Sequence, residues 1–249
     1  MRKISNFCIL ILSLNLLNSQ IRIEIKPNNQ IESSKTQIEL KIVNETNSRY
    51  VIPINKTDFK PYFQAEDCMN YEEVSFKETN DSFLRLVFLN SSDGSYVDKI
   101  FSNPDPSTLL HSNEKTKKQF EKKQKAAIKF KNDIINQWIK ENNIKQNKEW
   151  AEINRAIFSH LIYLEPMQTI KFKMYVDPLK LYSLQMDKKN SDYYSYYLEN
   201  DTNYSFFLKY CIDANVYNYL TEEQKNKLRS YKLFSGRLES NSLKWNNKF

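Results

Sequence analysis

The chain has 249 residues and only two glycines. A loop that cradles phosphate groups needs several glycines within a short stretch, because its backbone must approach the ligand closely. The sequence therefore excludes a Walker A loop and a dinucleotide-binding fingerprint. The nucleotide-dependent enzymes built on those loops are excluded with them, and we expect no cofactor.

Histidine is equally scarce. His111 and His160 are the only two, and neither has a cysteine, aspartate or histidine beside it at metal-ligand spacing. No HExxH, CxxC or EF-hand motif occurs, and no GxSxG elbow, so we assign no metal ligand and no catalytic residue. The paired carboxylates Glu72-Glu73 and Glu222-Glu223 are explained as a loop and a helix first turn. A catalytic triad scattered along the chain stays open, so a cell-envelope hydrolase or glycan-active enzyme is the alternative function.

Cysteine occurs three times. Cys8 falls in the apolar N-terminal run described below, which leaves Cys68 and Cys211 as an even pair. In an oxidising compartment such a pair forms a disulfide, and closing so long a loop would stabilise the fold by up to about 4–5 kcal/mol in the chain-entropy model, and by less if the bridge is strained. We predict a Cys68–Cys211 bridge, with two buried free thiols as the alternative.

The N-terminus has the composition of a secretion signal. Arg2 and Lys3 are followed by an apolar run from 7 to 17 and a short polar tail, which is the signal-peptide pattern. The run is shorter than the roughly 20 residues of a membrane-spanning helix. We therefore predict a signal peptide over residues 1–20 and an exported protein, whether periplasmic, on the cell surface or secreted. A buried strand or an uncleaved anchor is the other interpretation.

Most of the remaining chain alternates apolar and polar residues with the period of two that indicates half-buried β-strands. Phenylalanine and tyrosine are abundant, at 15 and 16 residues, and aromatic residues favour strands. The turn pair Asp93-Gly94 and the turn 165–168 predict two hairpins, with arms over 83–101 and 157–176. Thr221 begins a capping box that predicts a short C-terminal helix to about Tyr231. The predicted strands occupy 21–26, 37–43, 50–54, 83–89, 96–101, 157–164, 170–176, 204–212 and 233–245.

A lysine-rich helical segment interrupts the strands. From Glu114 to about Glu141 apolar residues recur at steps of three or four, and lysines occupy the other face. We predict a break at Asn142-Asn143 and a second short helix to about Asn154, so that a helical insertion covers roughly 112–154 of one domain running from 21 to 249. Its lysines are interpreted as solvated. Contact with an anionic surface such as phospholipid, lipopolysaccharide or polysaccharide is a less favoured alternative, and nucleic acid is not an expected partner.

A dense group of tyrosines is the strongest candidate for a binding surface. Tyr193, Tyr194, Tyr196 and Tyr197 lie within five residues, and alternate residues of a strand share a face. Tyr194 and Tyr196 are therefore predicted to present rings to a glycan or a protein partner. The alternative is that these rings pack in the core and against lysine side chains.

The alternating strand 38–43 ends in an Asn44-x-Thr46 turn and is followed by a strand over 50–54, and a Leu-Glu-Pro turn starts at Leu164. These stretches resemble exported Ig-like β-sandwich proteins of the flavobacterial type. The resemblance covers about half of the chain and implies no functional residues. We expect a mainly β fold, an Ig-like antiparallel β-sandwich with the helical insertion and the C-terminal helix. The expected function is that of an exported, non-enzymatic binding or accessory module, with association with the cell envelope as one option. An Ig-like protease inhibitor is a further alternative.

Overall fold

The computed structural model describes residues 21–32, 35–63, 83–102, 114–181, 193–200 and 202–246. Within these ranges the chain is mainly β, with three α-helices and one 3-10 helix. In chain order the elements are β1 (Ile21–Glu32), β2 (Lys35–Asn44), β3 (Tyr50–Pro53), β4 (Asn55–Pro61), β5 (Phe83–Asn90), β6 (Lys99–Ser102), α1 (Glu114–Glu141), α2 (Lys148–Phe158), β7 (Leu161–Leu164), β8 (Thr169–Val176), β9 (Tyr193–Tyr196), β10 (Asn203–Ile212), the 3-10 helix (Ala214–Tyr219), α3 (Glu222–Leu228), β11 (Lys232–Leu233), β12 (Gly236–Glu239) and β13 (Leu243–Asn246).

The first sheet has the order β1-β2-β8, and both of its pairs are antiparallel. The predicted alternation in β2 is confirmed, because Ile38, Leu40 and Ile42 are fully buried. Strand β1 runs further than predicted. It continues to Glu32 after a shift in register that begins at Pro27, where the missing backbone N–H cannot join the ladder.

The second sheet has the order β12-β10-β5-β4, and β13 also pairs with β10. The strand predicted over 204–212 is confirmed as β10, and its residues Tyr204, Phe206, Leu208 and Tyr210 lie in the core. The C-terminal stretch predicted as a strand over 233–245 forms two strands in its place, β12 and β13, which pair one after the other along β10. Strand β4 lies parallel to β5.

Both predicted hairpins are wrong in their pairing. Strand β7 pairs with β3 in the sheet β11-β3-β7, whereas β8 pairs with β2, so the two arms lie in different sheets. After the Asp93-Gly94 turn the chain makes only an isolated bridge from Tyr96 back to Leu89. Strand β6 then pairs with β9 as a two-stranded sheet. Alternation predicts which side chains share a face, but it carries no information on the partner strand.

One hydrophobic core includes residues from all four sheets, from α2, from the 3-10 helix and from α3. Asn241 ties the first two sheets together, because its side-chain amide accepts from the backbone N–H of Ile25 at 2.8 Å and donates to the Ile25 carbonyl at 2.9 Å. Asn241 thus supplies both hydrogen bonds that a neighbouring strand would give. The described pairs are antiparallel apart from β4–β5 and β3–β11.

The helical segment follows the prediction closely. Helix α1 begins at Glu114 and ends at Glu141, and Asn143 has a φ of 48°, a left-handed conformation that asparagine tolerates better than most residues. Helix α2 is capped by the Asn147 side chain and ends at Phe158, four residues beyond the predicted end. The capping box at Thr221 is confirmed, although α3 ends at Leu228.

Among the described residues, no helix is both long enough and apolar enough to cross a membrane.

Candidate functional site

The tyrosine group predicted as a surface lies in and after β9, and its members differ in exposure. Tyr197 is 57% exposed, Tyr194 is half-buried, and Tyr196 is only 3% exposed. Tyr193 lies in β9 as well, but its side chain is outside what the structure describes. Tyr194 and Tyr196 do share a face, as alternation requires, but that face packs onto the core. Tyr196 therefore does not present its ring to a ligand, contrary to the expectation from sequence.

Tyr196 instead joins β9 to the second sheet. Its hydroxyl donates to the carbonyl of Leu86, and the backbone N–H of Tyr62 lies 3.3 Å from the same hydroxyl oxygen. Burial raises the pKa of Tyr196 far above its usual value, so the hydroxyl keeps its proton. Its ring packs against Phe88 with the centroids 4.9 Å apart.

The β6–β9 pairing brings further aromatic residues beside Tyr194. Phe101 faces Tyr194 across the two strands, and the ring centroids are 4.9 Å apart. On its other side Tyr194 makes an edge contact with Phe63 at 5.5 Å. Because Phe101 is 47% exposed, this row of three rings reaches the protein surface.

Two lysines are held against these rings. The Lys99 Nζ donates to the carbonyl of Tyr62 at 2.8 Å and lies 4.9 Å from the centroid of Phe63. The Lys209 Nζ lies 4.5 Å from the centroid of the Tyr62 ring, which also contacts the half-exposed ring of Tyr96. Each ammonium group thus sits over an aromatic face, a favourable electrostatic arrangement.

The environment of Lys209 keeps it charged. Burial acts to lower its pKa, but the hydrogen bond with the Tyr62 hydroxyl and the negative charge of Glu239 outweigh that effect, so the pKa is raised. The Glu239 carboxylate lies 3.8 Å from the ammonium group at an exposed position. Lys209 therefore remains a cation throughout the neutral range.

We call this set of residues the aromatic–lysine patch. It combines part-exposed rings, which can stack on apolar faces, with two fixed cations, which can bind an anionic group. Sequence reasoning found only the tyrosines of β9. The other members come from distant stretches that converge through strand pairing, and no local motif marks them. The patch consists of Tyr62, Phe63, Tyr96, Lys99, Phe101, Tyr194 and Lys209.

The other candidate residues from the sequence are two cysteines, two histidines and the glutamate pair of α3. Cys68 and His111 lie outside the described residues, and Cys211 is half-buried on β10. The His160 ring is held against the end of α2, because its Nδ1 lies 2.6 Å from the Ala156 carbonyl. Glu222 and Glu223 occupy the first turn of α3. In the part of the chain that the structure describes, no three acidic, histidine or cysteine side chains converge to hold a metal ion.

Three Asn-x-Ser/Thr sequences, the pattern that N-glycosylation requires, form turns in which the asparagine side chain is hydrogen-bonded. In each, the asparagine side-chain oxygen accepts from the backbone N–H two residues later, at 3.1 Å for Asn44, 2.9 Å for Asn55 and 3.1 Å for Asn90. This is the Asx-turn geometry. Asn44 is fully buried, and its amide nitrogen donates to two carbonyls, those of Ser48 and Glu165.

Comparison of the chain with protein-family models, with curated proteins and with solved structures finds no match in any of the three.

Proposed function

We propose that the protein is an exported, non-enzymatic binding module whose aromatic–lysine patch takes an acidic oligosaccharide. The observation that carries this proposal is the combination of the row Phe63–Tyr194–Phe101 with the two lysines held over neighbouring rings. The apolar faces of sugar rings stack on aromatic side chains, and a uronate carboxylate fits an ammonium group. The patch offers both functions on one surface.

Preorganisation favours binding at this position. Lys99 and Lys209 each make a hydrogen bond or ion pair in addition to their ring contact, so less side-chain entropy is lost when a carboxylate is bound. The rings of Tyr194 and Phe63 are likewise fixed by their mutual contact. Only Tyr96 and Phe101 of the patch are substantially exposed, and we assign the direct stacking to these two residues.

The test is isothermal titration with oligogalacturonate and with a neutral cello-oligosaccharide of the same length. We expect measurable affinity for the acidic sugar and at least tenfold weaker affinity for the neutral one. F101A should reduce the affinity for oligogalacturonate at least about fivefold, because a stacked ring contributes about 1 kcal/mol or more. Tyr163, an exposed aromatic residue of β7, provides the matched control Y163A, which should leave binding unchanged.

Equal loss in F101A and Y163A would reject the patch as the binding site. Binding of a poly-glutamate peptide in the absence of sugar binding would keep the patch but replace the glycan by an acidic protein segment. Binding of neither would reject the proposed function.

Export, the Cys68–Cys211 bridge and the Ig-like sandwich architecture belong to the same proposal. The bridge is supported by composition, because Cys68 and Cys211 remain as an even pair once the N-terminal run with Cys8 is set aside. Support for the sandwich comes from the shared core of the sheets β1-β2-β8 and β12-β10-β5-β4.

The intact mass of the protein from its native source tests export and the bridge together. We expect a chain that begins near Gln20 or Ile21 and is lighter by two protons before reduction than after it. A full-length mass with free thiols would reject both.

A further inference from the structure

The N-terminal part of α1 carries a net positive charge almost as large as that of the whole chain. Eight lysines and two glutamates lie between 114 and 131, a net charge of 8 − 2 = +6, against +7 for the whole chain. In this stretch every side chain that the structure describes is exposed, apart from the half-buried Lys117. The charge is therefore presented to the outside by a single helix.

Five of these lysines form a straight row. They follow one another at steps of three, four, three and four residues, so at 3.6 residues per turn they fall within an arc of about 80° and extend over about 21 Å. The buried Ile135 of the same helix points to a different side, well away from this arc. We call the row the lysine ridge, and its members, all exposed, are Lys115, Lys118, Lys122, Lys125 and Lys129.

An apolar shoulder flanks the ridge. Phe130 is 57% exposed, and Ala126, one turn earlier on the same side, is exposed as well. The helix contains no arginine. Arginine is the residue that recognises individual phosphates by paired hydrogen bonds, whereas lysine acts as a point charge on a flexible chain. An all-lysine row beside an apolar shoulder fits a surface that is anionic without a defined pattern.

We propose that the lysine ridge docks the protein on the anionic headgroups of a phospholipid bilayer. Charge complementarity carries the assignment, since each lysine near an anionic leaflet raises the membrane partition coefficient about fivefold. Phe130 enters the headgroup region beside the ridge, as aromatic residues of interfacial helices do. This inference rests on α1 alone and is independent of the aromatic–lysine patch.

A bilayer fits this helix better than a soluble polyanion does. The ridge is convex and straight, so all five lysines can touch a plane at once, whereas polymers are bound in grooves that track their backbone. Helix α1 has its main tertiary contacts with α2, and α2 meets its C-terminal part, so no groove wall runs beside the ridge among the described residues.

The experiment is co-sedimentation of the full-length protein with two kinds of vesicle, pure phosphatidylcholine and phosphatidylcholine containing 30% phosphatidylglycerol. The measured quantity is the ratio of the two partition coefficients, in which a constant contribution of the N-terminal apolar run cancels. We expect the ratio to be large at low salt and to fall as salt screens the charges. The triple variant K118Q/K122Q/K125Q should lower the ratio roughly 100-fold. Glutamine is a good helix former, and circular dichroism will confirm that the helix persists.

The matched control is K171Q/K173Q/K180Q, which removes three exposed lysines of β8 and the following turn and makes the same change in net charge. It should leave the ratio within about threefold of the unmodified protein. Equal effects of the two triple variants would overturn the ridge as the docking surface. F130S distinguishes a bilayer from a soluble polyanion as the partner. Reduced binding of this variant to vesicles supports the bilayer. Unchanged vesicle binding, together with tighter binding of inorganic polyphosphate than of vesicles, would overturn it.

Discussion

The two parts of α1 lie in different environments although they belong to one continuous helix. Between Lys131 and Glu141 the helix packs on α2, with Ile135 buried and the Trp138 ring 6.3 Å from that of Phe158. Between Glu114 and Phe130 the described side chains are almost all exposed. Two isoleucines on the same stripe show the contrast, since Ile135 is 3% exposed and Ile128, two turns earlier, is 61% exposed.

The difference shows that the two parts are helical for different reasons. Tertiary packing stabilises the C-terminal part. The N-terminal part consists mostly of lysine, glutamine, glutamate and alanine, which are among the best helix formers. It extends a helix that packing has already nucleated. Extension costs much less than nucleation, so a good composition is enough. The exposed part can therefore be kept free for a surface role without weakening the core.

A buried polar network should give the largest effect. Asn154 accepts a hydrogen bond from the Trp138 indole at 2.8 Å and donates to the carbonyl of Tyr219 and to Gln224, both at 2.6 Å. N154A should lower the free energy of unfolding by about 4 kcal/mol, because it leaves several buried groups unpaired. The exposed N136A on α1 should change it by less than about 0.5 kcal/mol. Urea denaturation measures both, and a loss below 1 kcal/mol in N154A would show that the network does not hold α1.

The isoleucine pair sharpens the comparison directly. I135A should lower the free energy of unfolding by about 3 kcal/mol, because it removes a buried side chain and leaves a cavity. I128A should change it by less than about 0.5 kcal/mol, since that side chain is already largely in water. The same denaturation experiment applies. Similar losses in the two variants would mean that the N-terminal part of α1 is packed after all.

A glycine in the exposed part should act locally. Glycine is less favourable than alanine in a helix by about 1 kcal/mol, so A126G should speed amide hydrogen exchange between 114 and 126 roughly fivefold. The urea midpoint should stay unchanged, because few core contacts depend on this stretch. A lowered midpoint would indicate that the two parts unfold as one cooperative unit.

Mild acid should act through His160, which follows the end of α2. Burial, followed by the charges of Arg155 and Lys56, keeps the pKa of His160 below its usual value despite the hydrogen bond to Ala156. The unfolded chain then binds a proton more readily than the folded one, so stability falls as the pH drops below about 6.5. The decline should be smaller in H160Q than in the unmodified protein. An identical pH profile for the two would show that another group is responsible.

Sequence reasoning located most elements of the fold and few of their partners. The start of α1, its break at Asn143 and the buried faces of β2 and β10 follow from local rules of capping, periodicity and turn chemistry. The pairing of β6 with β9 and of β7 with β3 depends on contacts between distant stretches, so the two hairpins predicted from their turns were wrong. The aromatic–lysine patch was missed for the same reason. Tyr62 and Lys209 are 147 residues apart, and nothing local to either one points to the other.

The Asx turn at Asn44 has a practical consequence for producing the protein. Eukaryotic secretory pathways attach N-glycans to Asn-x-Ser/Thr sequences, and they do so while the chain is still unfolded. A sugar on Asn44 would replace one of the two amide donors that bond to the carbonyls of Ser48 and Glu165, at a position with no room for it. Expression in a eukaryotic secretory host would thus trap the chain before folding, whereas an expression host without this modification would let the turn close.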